Sequence, residues 1–246
     1  MKVSKEQKSE IRQKLLDAAV ALFVKKGFAE STMREISKRA GFSEGTIYNY
    51  FTTKEGIFYA YFESKEQALS HALAAVPGFA KFTLKEKLQL LMETLLESYR
   101  PDRAFVAIAF KALLDSPMRS FSELGPIKDS FAERIQGFLR DAAEQGEIPE
   151  QPFQRFLAYA LWDYLNLIVM YWLRDESKRD SNTTRLVDMS LDIYVDVVKS
   201  GMVTRAADLV GFLLKSHLYG NIDKLFSVVG LLSPRRGHSP KPAMEE

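Results

Sequence analysis

A short run of mostly small and hydrogen-bonding side chains, from Ser43 to Phe51, has the chemistry to contact DNA. Its two apolar members, Ile47 and Phe51, are one helical turn apart and would pack inward. Thr46 and Asn49 can read base edges, because threonine offers a methyl and a hydroxyl group and the asparagine amide suits adenine. Asn49 could also be a plain surface residue, and Tyr48 could be partly structural. The residues expected to contact DNA are Thr32, Arg34, Ser43, Glu44, Gly45, Thr46, Tyr48, Asn49, Tyr50 and Lys54.

Several of these residues have a second, structural interpretation. Thr32 is followed three residues later by a glutamate, so it is either only a helix cap or a cap that also offers its hydroxyl to a phosphate. Glu44 either accepts from a cytosine amino group or repels nonspecific DNA, while Gly45 allows close approach. Arg34 either contacts the phosphate backbone or is an ordinary solvated charge. Lys54 would add positive charge at a helix N-terminus, where the dipole is already positive.

These side chains need two short helices to hold them. The first is predicted to begin after Thr32 and to end at Gly41, where a positive φ costs glycine little. Ser43 is a plausible cap for the second helix, over 44–50, and Thr53 for the next. Two short helices joined by a glycine-containing turn indicate a helix-turn-helix, whose second helix enters the major groove.

The rest of the chain is predicted to be helical as well. Apolar residues at helical spacing predict helices over 84–99, 104–114, 127–145, 153–173 and 184–199, and shorter ones over 204–215 and 222–231. Gly125-Pro126 is expected to separate two of these helices. From residue 233 onward Pro, Gly, Ser and charged residues dominate, which predicts a disordered tail. Since no alternating strand pattern occurs, the fold class is all-α.

Three motifs together resemble the TetR/AcrR family of bacterial transcriptional regulators. The first helix ends in A-A-V-A-L-F-V-K-K-G-F, then comes T-M-R-E-I-S-K-R-A-G-F-S-E-G-T-I-Y-N-Y-F, and then T-K-E-G-I-F from Thr53. The resemblance is continuous over roughly 11–62. Many family members carry a histidine where this chain has Asn49-Tyr50, which leaves the fold prediction unchanged and the base preference open.

The resemblance implies a division of labour along the chain. Residues 1–53 would form a three-helix DNA-binding domain, 54–232 a helical ligand-binding and dimerisation domain with 54–75 as connecting helix, and 233–246 the tail. The family core should be nearly complete by Gly201. A homodimer would bind a palindromic operator in double-stranded DNA through two recognition helices, and a small-molecule effector would release it. The helices over 153–173 and 184–199 would pair with their counterparts into a four-helix bundle, or else form monomer core alone.

Aromatic side chains on the later helices could line the effector pocket, although aromatic residues in helices are more often core. A pocket of this kind would favour an apolar or aromatic ligand. Asp163 and Asn166, one turn apart in an apolar helix, could bind the ligand, pair across a dimer interface or be structural. The residues expected to contact the ligand are Phe105, Phe110, Phe131, Tyr159, Trp162, Asp163 and Asn166.

Composition narrows the remaining classes of protein. Residues 1–65 carry 12 basic and 8 acidic side chains, a net charge of +4, whereas the remainder carries 22 and 24, a net charge of −2. The chain has no cysteine and three scattered histidines, so neither a metal site nor a redox centre is expected. No cofactor motif, nucleophile elbow or phosphate loop occurs, and the protein is therefore not expected to be an enzyme.

Two further expectations concern location and mechanism. The apolar stretch 156–173 contains an aspartate and an asparagine near its centre, which predicts a buried helix and no membrane span. With no apolar secretory signal in residues 1–10, a cytoplasmic location is expected. The alternative to a ligand-responsive repressor is a TetR-like scaffold that binds DNA and acts through a protein partner; a solid core without a cavity would favour that alternative.

Overall fold

The computed structural model describes residues 4–115 and 117–214. In this part of the chain the backbone forms ten α-helices and no strand, which confirms the all-α prediction. The predicted helix over 222–231 and the predicted tail over 233–246 lie outside the described residues. None of the described helices is long and apolar enough to span a bilayer.

Four helices form the N-terminal part of the chain. They are α1 (Lys5–Lys26), α2 (Met33–Arg39), α3 (Glu44–Tyr48) and α4 (Lys54–Ala74). Thr53 Oγ1 accepts from the Gly56 N–H at 3.1 Å at the start of α4, as a cap should. Gly27 and Gly41, with φ of 92° and 82°, let the chain leave α1 and α2 in directions that side-chain-bearing residues rarely adopt.

Six further helices form the second unit. They are α5 (Leu84–Tyr99), α6 (Arg103–Asp115), α7 (Pro117–Glu144), α8 (Gln154–Trp172), α9 (Ser181–Lys199) and α10 (Met202–Leu214). Most agree with the predicted spans within three residues.

The prediction that Gly125-Pro126 separates two helices is wrong, because α7 runs through Pro126. A proline in a helix interior removes one backbone hydrogen bond. Packing compensates for that loss: α7 lies against α8 and α4 and buries Phe131, Ile135 and Leu139 completely.

An aromatic cluster joins the N-terminal helices to the second unit. Phe23 of α1, Phe58 of α4 and Phe105 of α6 have ring centroids 5.6–6.1 Å apart, and the Phe28 ring lies 4.7 Å from that of Phe58. Such pairs stabilise packing beyond simple area burial. The cluster fixes α1 and α4 against α6, so the N-terminal helices share one continuous core with the rest of the molecule.

Candidate DNA interface and ligand cavity

Thr32 caps α2 through a reciprocal pair of hydrogen bonds, as its spacing predicts. Its Oγ1 accepts from the Glu35 N–H at 3.2 Å, and Glu35 Oε2 accepts from the Thr32 N–H at 3.0 Å. Lys26 Nζ lies 2.7 Å from Glu35 Oε1, and this contact, followed by the Thr32 bonds, lowers the pKa of Glu35. Thr32 is exposed, so its position leaves the start of α2 accessible to a phosphate.

The recognition helix α3 is shorter than predicted. It spans Glu44–Tyr48, and Asn49 and Tyr50 follow it in a turn whose amides bond back to Thr46 and Ile47. Ile47 and Phe51 are 0% and 3% exposed, which confirms them as the inward anchors. Glu44, Gly45, Tyr48 and Asn49 are all exposed, so this short element presents its polar side chains outward.

Ser43 does not cap α3 through its side chain, contrary to the prediction. Its hydroxyl pairs with the Thr46 hydroxyl at 2.9 Å instead. The two hydroxyls hold each other on the outer surface of α3, where either could turn towards a base or a phosphate. Arg34 reaches towards Glu44, with 4.0 Å between Nε and Oε2, and both side chains are more than half exposed.

Lys54 has a structural role that the sequence did not indicate. Its ammonium donates to the carbonyl oxygens of Phe28 (2.8 Å), Ala29 (3.1 Å) and Ser31 (2.8 Å) and lies 4.7 Å from the Phe28 ring centroid. An ammonium has three donors, so these bonds use all of them. The predicted phosphate contact would require Lys54 to give up a bond that ties α4 to the loop between α1 and α2.

A second candidate site is an apolar cavity of about 30 Å³ between α4, α5, α6, α7 and α8. As it stands it has room for only about two water molecules. It adjoins a larger outer groove of about 360 Å³, which shares part of its lining. The shared side chains that separate cavity from groove are Phe110, Leu113, Leu124, Trp162 and Asn166.

Three polar side chains interrupt the apolar wall of the cavity: Glu66, Tyr99 and Asn166. Glu66 is 7% exposed. Its Oε1 lies 2.6 Å from Arg134 Nη1 and accepts a hydrogen bond from Ser130 Oγ at 3.2 Å. Burial, and then the nearby Glu66 carboxylate, raise the pKa of the Tyr99 phenol. Asn166 Nδ2 donates to the Trp162 carbonyl at 2.8 Å.

The structure brings four of the predicted ligand residues together and places three elsewhere. Phe110, Phe131, Trp162 and Asn166 line the cavity. Phe105 belongs to the aromatic cluster between α1, α4 and α6. Tyr159 is half-buried and lines neither the cavity nor the groove, and its hydroxyl donates to Asp129 Oδ1 at 2.7 Å.

Asp163 lines the outer groove and not the cavity. Its side chain is 71% exposed and lies 3.9 Å from Lys128 Nζ, so it is not the buried, unpaired carboxylate that the apolar sequence around it suggested.

Sequence reasoning missed Glu66 as a lining residue of the cavity, and it placed Tyr99 only among the aromatic residues of the helices expected to enclose the pocket. A signal for Glu66 was present, because it stands four residues after Phe62 and three before Leu69 on the apolar face of α4. An acidic residue on such a face needs a partner, and here that partner is Arg134 of α7.

An outward apolar face covers parts of α8 and α9. Ile193 is 66% exposed, and Leu167 is 63% exposed. The exposed apolar side chains of α9 recur every three or four residues, which places them on one face. They are Leu186, Met189, Ile193 and Val197.

Comparison with known proteins follows the same division of the chain. Residues 15–60 match a family model described as bacterial regulatory proteins of the tetR family, and residues 87–213 match one described as the tetracyclin repressor-like C-terminal domain. The second match extends through most of α10, so the expectation that the family core is nearly complete by Gly201 is wrong.

Several named proteins are similar over most of the chain. The fatty acid metabolism regulator protein of Bacillus subtilis is 26% identical, with 71% of this chain and 90% of that protein covered. The crystal structure of Thermus thermophilus FadR, in complex with lauroyl-CoA, is 26% identical with a TM-score of 0.56, covering 75% and 93% of the two chains. The Bacillus subtilis FadR structure with stearoyl-CoA, 24% identical with a TM-score of 0.59, covers 74% and 97% and supports the fold.

Proposed function

Because this chain belongs to the TetR family of bacterial transcriptional regulators, we propose that it is a dimeric repressor that an apolar effector releases from a palindromic operator. The observation that carries the proposal is the apolar cavity beneath α4. This helix begins at the DNA-facing loop, where Lys54 is bonded, and contributes Phe62 and Glu66 to the cavity wall. The single helix α4 therefore contacts both the loop that precedes α2 and the cavity.

This connection supports a coupling between ligand and DNA. A cavity with room for about two water molecules must widen to admit an effector, and α4 forms one of its walls. If α4 shifts, Lys54 moves the loop that precedes α2, and the two recognition helices of a dimer no longer match their half-sites. By reciprocity, operator DNA must weaken effector binding by the same factor.

The proposed homodimer uses the outward apolar face of α8 and α9. A monomer that kept Leu186, Met189 and Ile193 exposed in water would leave a continuous apolar stripe unburied. Pairing with a second copy would bury this stripe against itself in a two-fold contact. The proposed DNA contacts remain those on α2 and α3, at Thr32, Arg34 and the polar residues from Ser43 to Tyr50.

The effector is proposed to be an elongated apolar molecule, and long-chain acyl thioesters are candidates. The two FadR structures hold lauroyl-CoA and stearoyl-CoA, and the relative from Bacillus subtilis is named for fatty acid metabolism. The wall of the cavity is largely aliphatic and aromatic, which suits a hydrocarbon chain. A scaffold acting through a protein partner is the weaker alternative, since it gives no reason for a cavity in the core.

The test is release from DNA by a defined ligand. An operator is first selected from random DNA, and binding is then followed by fluorescence anisotropy with and without lauroyl-CoA at fixed salt. Wild-type protein should lose operator affinity when the ligand is added. Val169→Phe, which fills the cavity wall, should still bind the operator but no longer respond.

Val195→Phe provides the matched control, because Val195 is also buried but does not line the cavity. It should respond to the ligand as wild type does. A protein that binds a palindromic operator but ignores every apolar ligand would support the scaffold instead.

A further inference from the structure

The cavity and the groove differ in the polarity of their linings. Glu66 and Tyr99 line the inner cavity only, behind the side chains shared with the groove. The groove's own lining includes the apolar Leu114, Leu167 and Met170, together with Lys128 and Asp163, which pair with each other. A ligand that enters through the groove therefore meets hydrogen-bonding groups at its buried end.

At the inner end of the cavity, the Tyr99 hydroxyl is available to donate a hydrogen bond. The residue is 7% exposed and lines the cavity, and its phenol makes no hydrogen bond with the described residues. Because burial and the neighbouring carboxylate raise the pKa of Tyr99, the phenol keeps its proton and acts as a donor. In a mostly apolar cavity, a ligand that supplies an acceptor to this donor gains affinity there.

The charge next to Tyr99 is already balanced. Glu66 Oε1 lies 2.6 Å from Arg134 Nη1, and Arg134 Nη2 donates to Ser70 Oγ at 2.6 Å. A cationic ligand would compete with Arg134 for the carboxylate, and an anionic ligand would face that carboxylate directly. Either charge would also lose its hydration in an apolar cavity, whereas an uncharged acceptor has no such penalty.

We propose that Tyr99 donates a hydrogen bond to the buried end of the effector, and that among elongated apolar molecules the site prefers one whose buried end is uncharged and carries an oxygen atom. This inference rests on the proposed function and specifies its ligand. A long-chain alcohol satisfies the site fully, because its oxygen accepts from Tyr99 while its own proton remains available to an acceptor. A methyl-ended chain would leave the phenol without a partner.

The test compares two probes that differ at the buried end. The oxygen-ended probe is 1-decanol, and the methyl-ended probe is lauroyl-CoA. Binding is followed by the fluorescence of the tryptophans, one of which, Trp162, lines the cavity. Tyr99→Phe should lower the affinity for 1-decanol about three- to tenfold, which is the effect of losing one hydrogen bond. The same substitution should leave the affinity for lauroyl-CoA unchanged or raise it, because the variant has no phenol donor left without a partner.

Tyr194→Phe is the matched control, because the Tyr194 hydroxyl likewise makes no hydrogen bond with the described residues, but Tyr194 does not line the cavity. It should change neither affinity. Equal effects of Tyr99→Phe on the two probes would overturn the inference, and so would binding of lauroyl-CoA with no binding of 1-decanol. If neither probe binds the wild-type protein, the apolar effector of the proposed function fails and this inference fails with it.

Discussion

At the scale of single residues, exposure separates the side chains that can contact DNA from those that support them. Tyr48 is 50% exposed at the end of α3, and Asn49 is exposed in the turn that follows. Between them and the core lies Ile47, which is fully buried. Lys54 has the charge for a phosphate contact, yet its donors bind backbone carbonyls. Residue type alone therefore does not determine which groups are free to contact DNA.

Tyr48 and Asn49 should have different effects on binding. Tyr48→Phe removes a donor to phosphate, so it should weaken binding to operator and random DNA alike, by a few-fold. Asn49→Ala removes a base-reading amide and should change sequence preference by about 1–3 kcal/mol at one position. Both variants are measured in gel-shift titrations on the two DNAs at one fixed salt concentration. Equal losses for both variants on both DNAs would contradict this division of roles.

At the scale of elements, the start of α9 is fixed by a buried carboxylate. Asp175 accepts from the Ser177 N–H at 2.9 Å, the Thr183 N–H at 2.8 Å and the Thr183 hydroxyl at 2.7 Å. Burial alone would raise the pKa of Asp175, but the hydrogen bonds from Ser177 and Thr183 outweigh it and lower that pKa. The ionised carboxylate thus stabilises the connection between α8 and α9.

Asp175 should make stability depend on pH in one direction. Since its folded pKa lies below the ordinary aspartate value of about 3.9, its stabilising contribution is complete above that value and is lost as the pH falls below it. Asp175→Asn should lower the urea midpoint at pH 7, and the gap to wild type should narrow below about pH 4. Asp196→Asn, at an exposed position on α9, is the control. If the urea midpoints of wild type and Asp175→Asn differ by the same amount at pH 7 and at pH 3.5, Asp175 is not the source of the pH dependence.

The whole molecule has its charge and its apolar surface in different places. The basic excess lies within residues 1–65, and the exposed apolar stripe lies on α9 at the other end of the sequence. A dimer through α8 and α9 would pair two DNA-binding units with a combined excess of about eight positive charges. Long-range attraction to DNA and burial of the apolar stripe would then follow from one arrangement.

Disruption of the apolar stripe should separate the two subunits. Ile193→Asp places a charge in the proposed interface, where its desolvation opposes pairing, so the mass measured by light scattering should fall to that of a monomer of 28.0 kDa. Operator affinity should fall at least about tenfold, or about 1.4 kcal/mol, because one half-site is no longer bound. Val24→Asp, at an exposed apolar position on α1, should keep the wild-type mass. A fully dimeric Ile193→Asp protein would argue against this interface.

The amino-acid sequence by itself determined the helices, the helix-turn-helix and the family. These depend on local features, such as the capping of α2 by Thr32, the turn at Gly41 and the spacing of Ile47 and Phe51, and local features are present in sequence order. Packing decided the rest. It carries α7 through Pro126, places Phe105 in the core and Asp163 in solvent, and brings Glu66 and Tyr99 from different helices to one cavity. Contacts between distant segments depend on how whole helices pack, and no short pattern in the sequence encodes them.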